Sequence, residues 1–322
     1  MKYSIIVPLY NEEKNVNPLN QEIIQSIIEL KKTKEREFEL ILVDDGSKDN
    51  TFNELRSLNN KTQIPTIVIR HRKNISQSAA ILTGIEKSKY ENLIFLDGDL
   101  QNDPKDLDSL LNKFETNYDM VVGWRKKRKD VFLTRTLPSL IANFIVRFFT
   151  TSKIHDHGCA LKVLKKEIFD NIIEWGGDFH RLLAARASDM GFKVTEVVVN
   201  HRTRKFGKSN YGFSRILKVI MDIIYLGFLK NKTKSLYYFG VFGFVSIFCS
   251  ALVFFAMLYY KYAVSGSFIL TPLPILVVFF LLTGINFILI GIIAQLIISK
   301  NEGKKQSINQ NYIEKIIDNR SN

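Results

Sequence analysis

The stretch NLIFLDGDLQNDP, residues 92–104, joins an apolar run to three acidic side chains and a proline. A short apolar run of this kind is typical of a buried strand, and Asp103 before a proline is a good helix N-cap. Residues two apart on an extended backbone point the same way, so Asp97, Asp99 and Gln101 are expected to converge. The stretch therefore predicts a strand that ends at a cluster of oxygen-bearing side chains, with a helix directly after it.

Three apolar runs upstream repeat this pattern. They are YSIIVPLY (3–10), FELILVDD (38–45) and PTIVIR (65–70), and helix-like stretches follow them around 14–32, 48–58 and 75–88. Continuous Ile, Leu and Val runs indicate strands buried on both faces, which predicts an α/β fold with a parallel sheet and helices on either side. Ligands of such sheets bind at the carboxyl ends of the strands. Polar clusters stand at three of these ends, so we expect one site built from YNEE (10–13), DDGS (44–47) and DGDLQ (97–101).

The side chains of the 97–101 cluster suit a hard divalent cation. Asp97, Asp99 and Gln101 offer only oxygen atoms, which are ligands for Mg²⁺ or Mn²⁺ and not for zinc. An ion held by one or two carboxylates usually completes its shell with phosphates, so the acids imply a phosphorylated substrate. The alternative for the DGD motif is a capped loop with solvated acids. The sequence has no G-x-x-x-x-G-K-[ST] phosphate loop, which argues against an ATPase of that class.

The net charge of +13, from 45 Lys and Arg against 32 Asp and Glu, indicates an anionic partner. The candidates are nucleic acid, an anionic membrane surface and a multiply phosphorylated substrate. Basic residues cluster at 123–130, 201–209 and 229–235, and an apolar segment close behind the last cluster argues against nucleic acid. We therefore expect no nucleic-acid partner. Two cysteines cannot form a disulfide framework, which fits a reducing compartment, and Cys159 is expected to be a buried structural thiol.

Two apolar segments, Tyr237–Tyr260 and Leu273–Ile298, contain no charged residue. Each exceeds the roughly 20 residues that a helix needs to cross a bilayer. Lysines flank the pair on both outer sides, at Lys230, Lys232, Lys234, Lys300, Lys304 and Lys305, whereas the linker Lys261–Pro272 holds only Lys261. The positive-inside rule predicts a multi-pass protein of the cell (inner or plasma) membrane, with the N-terminal domain and both termini in the cytoplasm. The alternative is a buried helical hairpin of a soluble protein.

The segments 131–149 and 211–229 combine broad apolar faces with isolated basic residues. Helices of this composition lie either in the headgroup plane or in an ordinary core. We divide the chain into a domain at 1–210, a juxtamembrane amphipathic segment at 211–235, two transmembrane helices within 236–299 and a cytoplasmic tail at 300–322. Small residues in the apolar segments would allow close helix approach and a homo-oligomer: Ser246, Ser250, Gly284 and Gly291.

Seven motifs follow one another in an order that resembles glycosyltransferase family 2. They are IVPLYNEE (6–13), LILVDDGSKDNT (40–51), IFLDGDLQNDP (94–104), VVGWRKKRKD (121–130), HDHGCALKVLKKE (155–167), GGDFHRLLAARASDMG (176–191) and HRTRKFGKSNYG (201–212). The resemblance covers nearly all of residues 3–230. It is closest to the polyprenyl-phosphate glycosyltransferases, the group that includes dolichol-phosphate mannose synthase and bactoprenol glucosyltransferase, some members of which carry a transmembrane hairpin.

The resemblance implies a GT-A (Rossmann-like) catalytic domain followed by amphipathic interface helices and a two-helix transmembrane hairpin. It also implies an inverting, metal-dependent transfer of a hexosyl group from a UDP- or GDP-sugar, with Mg²⁺ or Mn²⁺ as cofactor. The acceptor would be undecaprenyl or dolichyl phosphate in the bilayer. The product would be a lipid-linked sugar donor for glycan or cell-envelope modification.

The resemblance assigns roles block by block. The nucleotide-sugar would be bound by Pro8, Tyr10, Glu12, Asp44, Asp45 and Asp97, with a diphosphate clamp from Arg204 and Lys208. The metal would be held by Asp99 and Gln101, with Asp97 beside it. The acceptor phosphate would be bound by Arg125, Arg135 and Ser139. The catalytic residues would be Asp156, in an orienting or weak-base role, Asp97 and Arg135.

Elementary chemistry favours the same arrangement. A phosphate monoester is already anionic near neutral pH, so it needs desolvation, charge neutralisation and alignment more than a strong base. Arginines suit this task because they bind phosphate bidentately and keep their charge. One competing hypothesis is a processive or other membrane glycosyltransferase of family 2 that makes polysaccharide or glycolipid, although the further spans and the Q-x-x-R-W motif of processive synthases are absent from the sequence. The other is a membrane scaffold or nucleic-acid-binding protein, in which Asp99→Asn would have no effect.

Overall fold

The structure is a computed structural model that describes residues 1–59, 64–126, 143, 146–147, 150–171, 179–203, 235–263, 271–301 and 312–320. The chain divides into two compact units. The first holds the N-terminal domain together with a strand near the C-terminus, and the second holds two long apolar helices. The predicted segments 131–149 and 211–235 lie outside the described residues, except for Asn143, Val146, Arg147 and Ser235.

Strands and helices alternate through the first half of the chain as the sequence predicts. They are β1 (Lys2–Leu9), α1 (Glu13–Thr33), β2 (Glu37–Asp44), α2 (Thr51–Asn59), β3 (Thr66–His71), α3 (Gln77–Lys87), β4 (Asn92–Phe95), a 3₁₀ turn (Pro104–Asp106) and α4 (Leu107–Phe114). The second half adds β5 (Met120–Trp124), β6 (Lys162–Lys165), α5 (Glu167–Asn171), α6 (Phe179–Asp189), β7 (Val194–Val198), α7 (Ser235–Ala263), α8 (Leu273–Asn301) and β8 (Ile313–Asp318). The predicted cap is confirmed, because Asp103 Oδ1 accepts a hydrogen bond from the Lys105 amide at 3.1 Å.

The strands of the described residues form one sheet in the order β7-β5-β6-β4-β1-β2-β3-β8. Its centre, β4-β1-β2-β3, is parallel as predicted, and Tyr3 to Leu9 and Phe38 to Asp44 are buried along its two inner strands. The sheet also contains strands beyond the four that the sequence predicts. Strand β6 runs antiparallel between β4 and β5, and β8 runs antiparallel along β3. The sheet is therefore mixed, with helix-connected parallel strands in the middle and antiparallel additions on both sides.

The order of the strands creates a switch point between β1 and β4. The chain leaves β1 toward β2 on one side, whereas β4 pairs with the other side of β1. In open α/β sheets the crevice at such a point, outside the carboxyl ends of the strands, is where ligands bind. The segments that follow β1 and β4 are the ones that carry Tyr10 and Asp97, so the fold places two of the three predicted polar clusters on either side of this crevice.

The sequence predicts a tail at 300–322, whereas the structure has the strand β8 at Ile313–Asp318. Its residues pair antiparallel with β3, for example Ile317 with Val68. Asn319 and Thr66 exchange hydrogen bonds of 3.1 Å and 2.8 Å at one end of the strand. Arg320 Nη1 then donates to Glu39 Oε2 at 2.9 Å and to a backbone carbonyl of α3 at 2.7 Å. Because the Glu39 carboxylate is buried, this ion pair fastens the end of β8 to the sheet.

A second buried ion pair lies at the amino end of β1 and β2. Arg36 donates from Nε and Nη2 to the two carboxylate oxygens of Glu115 at 2.8 Å and 3.0 Å. Lys34 Nζ and Tyr3 Oη also donate to this carboxylate, at 2.7 Å and 3.0 Å. Burial alone would raise the pKa of Glu115, but these hydrogen bonds outweigh it and hold the pKa at about 2. The Arg36 side chain is only 1% exposed, so Glu115 is the counter-ion of a buried charge.

A Glu115→Gln variant should therefore be less stable, by about 2–3 kcal/mol in the free energy of unfolding, because a buried guanidinium loses its counter-ion. A group whose pKa is lowered by folding stabilises above its unfolded pKa and loses that contribution as the pH falls. The difference between wild type and variant should thus be full at pH 7 and shrink below about pH 4.5, toward pH 2. Thermal melts of detergent-solubilised protein across this range measure it.

The matched control is Glu37→Gln, since Glu37 forms an exposed ion pair with Lys2 at the same edge of the sheet. Exposed pairs contribute little, so this variant should melt like the wild type. Equal melting temperatures for the two variants would contradict the role of Glu115.

The second unit is an antiparallel helical hairpin made of α7 and α8. Both helices are long and apolar enough to cross a membrane, and their outer faces expose large apolar side chains such as Phe244 and Ile275. A Cβ atom on Gly284 would lie 2.7 Å from the Gly243 carbonyl oxygen, so the backbones touch at these glycines. Ser246 and Ser250 donate across the hairpin to the carbonyls of Phe280 and Val277 at 2.7 Å and 2.8 Å. The small residues that suggested a homo-oligomer therefore pack α7 against α8 within one chain.

Gly284→Val should force the two helices apart and destabilise the hairpin by about 1–3 kcal/mol, the usual penalty of overpacking. Titration with SDS, followed by loss of helicity, should show unfolding at a lower detergent fraction than in wild type. Gly240→Val provides the control, because a Cβ atom on Gly240 has nothing within 4 Å. If both variants resist SDS equally, the glycine contact is not what holds the hairpin together.

Candidate active site

The acidic cluster 97–101 lies on a turn after β4. Asp97 and Asp99 do come close together, since the Asp99 carboxylate is one cause of the shifted pKa of Asp97. The expected reason is wrong, however: β4 ends at Phe95, and Leu100 has a φ of 59°, so this segment is not an extended strand. Gly98 allows the turn to approach β1, because a Cβ atom there would lie 3.1 Å from the Pro8 carbonyl oxygen.

Burial of Asp97 is the main cause that raises the pKa of its carboxyl group to about 7, and the neighbouring Asp99 raises it further. Arg125, Lys162 and Arg181 act in the opposite direction. Asp97 Oδ1 accepts a hydrogen bond of 2.6 Å from Gln77 Nε2, at the start of α3. A buried carboxyl group whose pKa is raised by a neighbouring carboxylate marks a place where a positive group would be stabilised.

Asp99 and Gln101 are joined through the backbone. The Gln101 amide donates to Asp99 Oδ1 at 3.1 Å, while the Gln101 side chain donates to the Arg202 carbonyl at 3.4 Å. In the part of the chain that the structure describes, no group of three or more His, Cys, Asp and Glu side chains comes together. Any ion at this turn would therefore be held by one or two carboxylates and by oxygens of the substrate. Magnesium is bound in this way, so the donor set fits Mg²⁺ or Mn²⁺.

The segments after β1 and β2 are bound to each other by hydrogen bonds. The Asn11 amide donates to Ser47 Oγ at 2.9 Å, and Asn11 Oδ1 accepts from the Lys48 amide at 2.9 Å. Asn11 has a φ of 54°, a left-handed conformation that asparagine tolerates. The Glu12 amide donates to Thr51 Oγ1 at 2.9 Å, and the Glu12 side chain accepts a hydrogen bond from Asn15. These bonds fix the loop that begins at the half-buried Tyr10, next to the buried Pro8.

Asp45 is occupied by partners within the protein. Its carboxylate oxygens accept hydrogen bonds from His71 and Asn74 at 2.8 Å, and from the Ile75 amide at 3.1 Å. Gly46, with a φ of 69°, lets the backbone approach the same loop so closely that a Cβ atom would lie 2.3 Å from the Lys73 carbonyl carbon. Asp45 therefore holds the segment after β3 against the segment after β2, and its carboxylate is not open to a ligand.

Asp44 differs from its neighbour. It is fully buried, and Oδ1 accepts a hydrogen bond of 3.0 Å from the Ser47 amide. Among the described residues, Oδ2 has no hydrogen-bond partner, and its nearest cation is Arg70 Nε at 3.5 Å. Burial raises the pKa of Asp44, whereas Ser47 and Arg70 lower it. A buried carboxylate oxygen without a hydrogen bond is costly unless a ligand supplies one, and Asp44 Oδ2 is such an oxygen, at the carboxyl end of β2.

Arg125 and Asp156 form a bidentate pair. Arg125 Nε donates to Asp156 Oδ2 at 2.7 Å, and Nη2 donates to Oδ1 at 2.9 Å. Asp156 is only 3% exposed, so its carboxylate is largely removed from solvent. Beside the pair, the Trp124 and His155 rings stack with centroids 4.5 Å apart. The geometry agrees with an orienting role for Asp156, and it shows that Arg125 has a carboxylate partner before any phosphate arrives.

Lys162 is a site residue that the sequence analysis missed. Its ammonium group is buried in β6 and donates to the carbonyls of His180 and His157, at 2.7 Å and 3.4 Å. Burial lowers the pKa of Lys162 to about 8. A cavity of about 10 Å³, near the size of one water molecule, is lined by Lys162, Asp97 and Gln77. The available signal was a single lysine inside the apolar run CALKVL, since a lone charge in a buried strand needs a partner.

Two further buried residues, Cys159 and His180, have structural roles. Cys159 is buried, and burial raises the pKa of its thiol to about 11, so it is a structural thiol as expected. His180 Nδ1 lies 2.9 Å from Ser78 Oγ, in a structural hydrogen bond. Four predicted site residues lie outside the described residues: Arg135, Ser139, Arg204 and Lys208. The described site thus comprises the acidic turn, the Arg125–Asp156 pair, the buried Lys162 and the two loops around Asp44.

The sheet with acids at its switch point can be compared with known proteins. The family model "Glycosyl transferase family 2" matches residues 4–173. The chain belongs to glycosyltransferase family 2 and is a glycosyltransferase.

Relatives and solved structures resemble this chain over most of its length. A dodecaprenyl-phosphate galacturonate synthase of Rhizobium johnstonii is 32% identical over 304 residues, which cover 92% of this chain and 88% of the relative. An undecaprenyl-phosphate 4-deoxy-4-formamido-L-arabinose transferase of Pseudomonas fluorescens is 30% identical, with 91% and 84% covered. A glucosyl-3-phosphoglycerate synthase from Mycobacterium tuberculosis has a TM-score of 0.52 at 16% identity, covering 71% of this chain and 79% of that one. This last likeness concerns the fold.

Proposed function

We propose that this chain transfers a sugar from a UDP- or GDP-sugar to a polyprenyl phosphate at the cytoplasmic face of a membrane, with inversion at the anomeric carbon. The observation that carries the proposal is the acidic turn at the switch point, beside the Arg125–Asp156 pair, in a chain with two helices long enough to cross a bilayer. Two relatives named as prenyl-phosphate sugar transferases match more than nine-tenths of the chain, which supports the same acceptor class.

The donor would bind across the carboxyl edge of β1, β2 and β4. Pro8, Tyr10 and Glu12 would border one side of the nucleotide, and Asp44 Oδ2, which has no hydrogen bond among the described residues, would accept one from the base. Asp45 acts indirectly, by holding the loops in place. Asp97 and Asp99, with Gln101, would hold Mg²⁺ or Mn²⁺ on the diphosphate, where the ion supplies neutralisation of the leaving-group charge. Arg204 and Lys208 are proposed as a diphosphate clamp on the strength of their motif alone.

The acceptor would meet Arg125, with Arg135 and Ser139 as further proposed contacts. Its phosphate oxygen attacks the anomeric carbon, and the bond to the nucleotide diphosphate breaks. A single displacement of this kind inverts the configuration, and it needs no carboxylate nucleophile. Asp156 keeps the Arg125 guanidinium in one orientation, so that the remaining N–H groups can face the incoming phosphate. Lys162 adds a fixed positive charge behind Asp97, which Asp97 needs if it is to remain ionised.

The membrane topology is supported by the position of β8. The sheet contains strands that come before and after the hairpin in sequence, since β7 precedes α7 and β8 follows α8. If α7 and α8 both cross the bilayer, the chain returns to the side from which it started, as β8 requires. The lysines that flank the hairpin favour the cytoplasmic side. The catalytic domain and both termini are thus proposed to be cytoplasmic.

The test is a transfer assay with purified full-length protein, a short polyprenyl phosphate, Mg²⁺ or Mn²⁺, and a panel of UDP- and GDP-sugars that includes uronic acids and amino-pentoses. Product should form with one donor, disappear with EDTA and return when the ion is added back. Mass spectrometry and anomeric NMR coupling identify the lipid-linked sugar and its configuration. Donor hydrolysis without any lipid product would contradict the proposed acceptor, and a retained anomeric configuration would contradict the mechanism.

A further inference from the structure

The antiparallel pairing of β8 places its first residues at the ligand-binding edge of the sheet. Strand β3 runs toward the carboxyl edge and ends at His71, whose partner in β8 is Ile313, whereas Asp318 pairs with Ile67 near the opposite end. The register shifts between Arg70 and His71, and Glu314 is the β8 residue that falls at this irregularity. A residue that follows the apolar hairpin in sequence is therefore next to the loops of the donor site.

Arg70 connects Glu314 to Asp44. The Arg70 Nε atom lies 3.4 Å from Glu314 Oε2 and 3.5 Å from Asp44 Oδ2. Among the described residues Nε makes no hydrogen bond, so it forms an ion pair with each carboxylate without donating to either. The guanidinium also lies over the Phe52 ring, 4.7 Å from its centroid. Arg70 thus has three neighbours that hold it beside Asp44, and one of them belongs to β8.

We propose that Glu314 is a positioning residue for the nucleotide: through Arg70 it leaves the buried Asp44 Oδ2 without a hydrogen bond, so that an N–H donor of the base can bind this oxygen on entering the site. The inference rests on the proposed function and deepens it. Uracil and guanine both carry a ring N–H group that can donate a hydrogen bond to such an oxygen. Without the Glu314 charge, Arg70 moves toward Asp44 and donates to Oδ2, and the base then has to compete for the same oxygen. The segment beyond the hairpin is in this way a working part of the donor site.

The alternative role for β8 is to cover the edge of β3, which parallel-sheet proteins must protect. That role depends on the backbone ladder, on Asn319 and on Arg320, none of which requires Glu314. The two roles therefore make different predictions for one side chain. Edge protection affects stability alone, whereas the positioning role affects nucleotide affinity and leaves stability nearly unchanged.

The experiment measures UDP and GDP binding by calorimetry, with Mg²⁺, on detergent-solubilised full-length protein, and melting temperature without nucleotide. Glu314→Gln should raise the Kd of the nucleotide that wild type binds by roughly fivefold, which corresponds to about 1 kcal/mol. Lys315→Gln is the control, because it makes a similar change of charge at the neighbouring residue without removing the carboxylate beside Arg70, and it should leave Kd unchanged. In an Arg70→Gln background, Glu314→Gln should add no further effect, since the two residues act through one another.

A Glu314→Gln variant that binds nucleotide like the wild type would overturn the inference, whether or not it melts earlier. Additive effects of Glu314→Gln and Arg70→Gln would also overturn it, because Glu314 would then act by another route. If the wild-type protein binds neither UDP nor GDP, the proposed function itself fails, and this outcome is distinguishable from the other two.

Discussion

Asp99→Asn should reduce the rate of sugar transfer by roughly a thousandfold, because loss of a metal ligand at a developing diphosphate charge costs several kcal/mol of transition-state stabilisation. Asp99 is 8% exposed and lies beside Asp97, whose pKa is about 7 partly because of this neighbour. Asparagine keeps the shape of the side chain, so the turn and its hydrogen bond from the Gln101 amide should persist. The measurement is kcat at saturating donor, together with the Mn²⁺ affinity of the nucleotide complex by electron paramagnetic resonance.

Asp108→Asn is the matched control for this prediction. Asp108 is an exposed carboxylate on α4, 54% accessible, and it lies 3.7 Å from Arg36, which precedes β2 at the amino end of the sheet, whereas the acidic turn lies at the carboxyl end. The same chemical change there should leave both kcat and Mn²⁺ affinity at the wild-type level. An Asp99→Asn variant with more than a tenth of wild-type kcat would mean that the ion is held elsewhere.

Asp156→Asn should lower kcat by roughly a hundredfold while changing the KM of the donor less than threefold, because a misaligned arginine acts on the transition state more than on binding. The carboxylate binds both Nε and Nη2 of Arg125, and an amide can accept only one of these bonds. Arg125→Lys should have a similar effect, since a lysine keeps the charge but cannot reproduce the fork. Steady-state kinetics with varied donor and varied acceptor measures both constants.

The double variant separates orientation from proton transfer. If Asp156 acts by orienting Arg125, the loss in the double variant should match the loss in the single variants, because the two residues form one unit. If Asp156 instead accepts a proton, the double variant should lose more activity than either single variant. The kcat of Asp156→Asn should then recover at high pH. Asp119→Asn, which removes a carboxylate paired with Lys165 at 2.6 Å, serves as the control and should retain wild-type kcat.

The central sheet could be predicted because its strands are continuous apolar runs. Tyr3 to Leu9 is buried along its whole length, and such a run admits few other interpretations. The mixed pairing could not be predicted, because β6 (KVLK) and β8 (IEKIID) hold charged residues and are not continuous apolar runs. The partners of β8 in β3 also lie far back in the chain, for example Ile317 with Val68, and local patterns carry no information on such pairs.

Most residues of the candidate site could be predicted from the sequence, but the contacts that they make could not. The residue types after β1, β2 and β4 identified the acids, since parallel strands bring their carboxyl ends to one edge. Sequence could not indicate that both Asp45 oxygens accept hydrogen bonds within the protein while Asp44 Oδ2 accepts none among the described residues, because the two residues are adjacent and chemically identical. It could not indicate the Arg125–Asp156 pair either, since the two residues are 31 positions apart and meet only through the fold.

The position of β8 also sets the order in which the protein can be completed during translation. The ribosome finishes the other strands of the sheet before it synthesises the two apolar helices, and it releases β8 only afterwards. Until then β3 is a bare edge, able to pair with another nascent chain. The sheet is therefore completed only after the hairpin has been synthesised. A chain halted within the hairpin would carry an unpaired β3 edge, which is prone to aggregation and which cellular quality control can recognise.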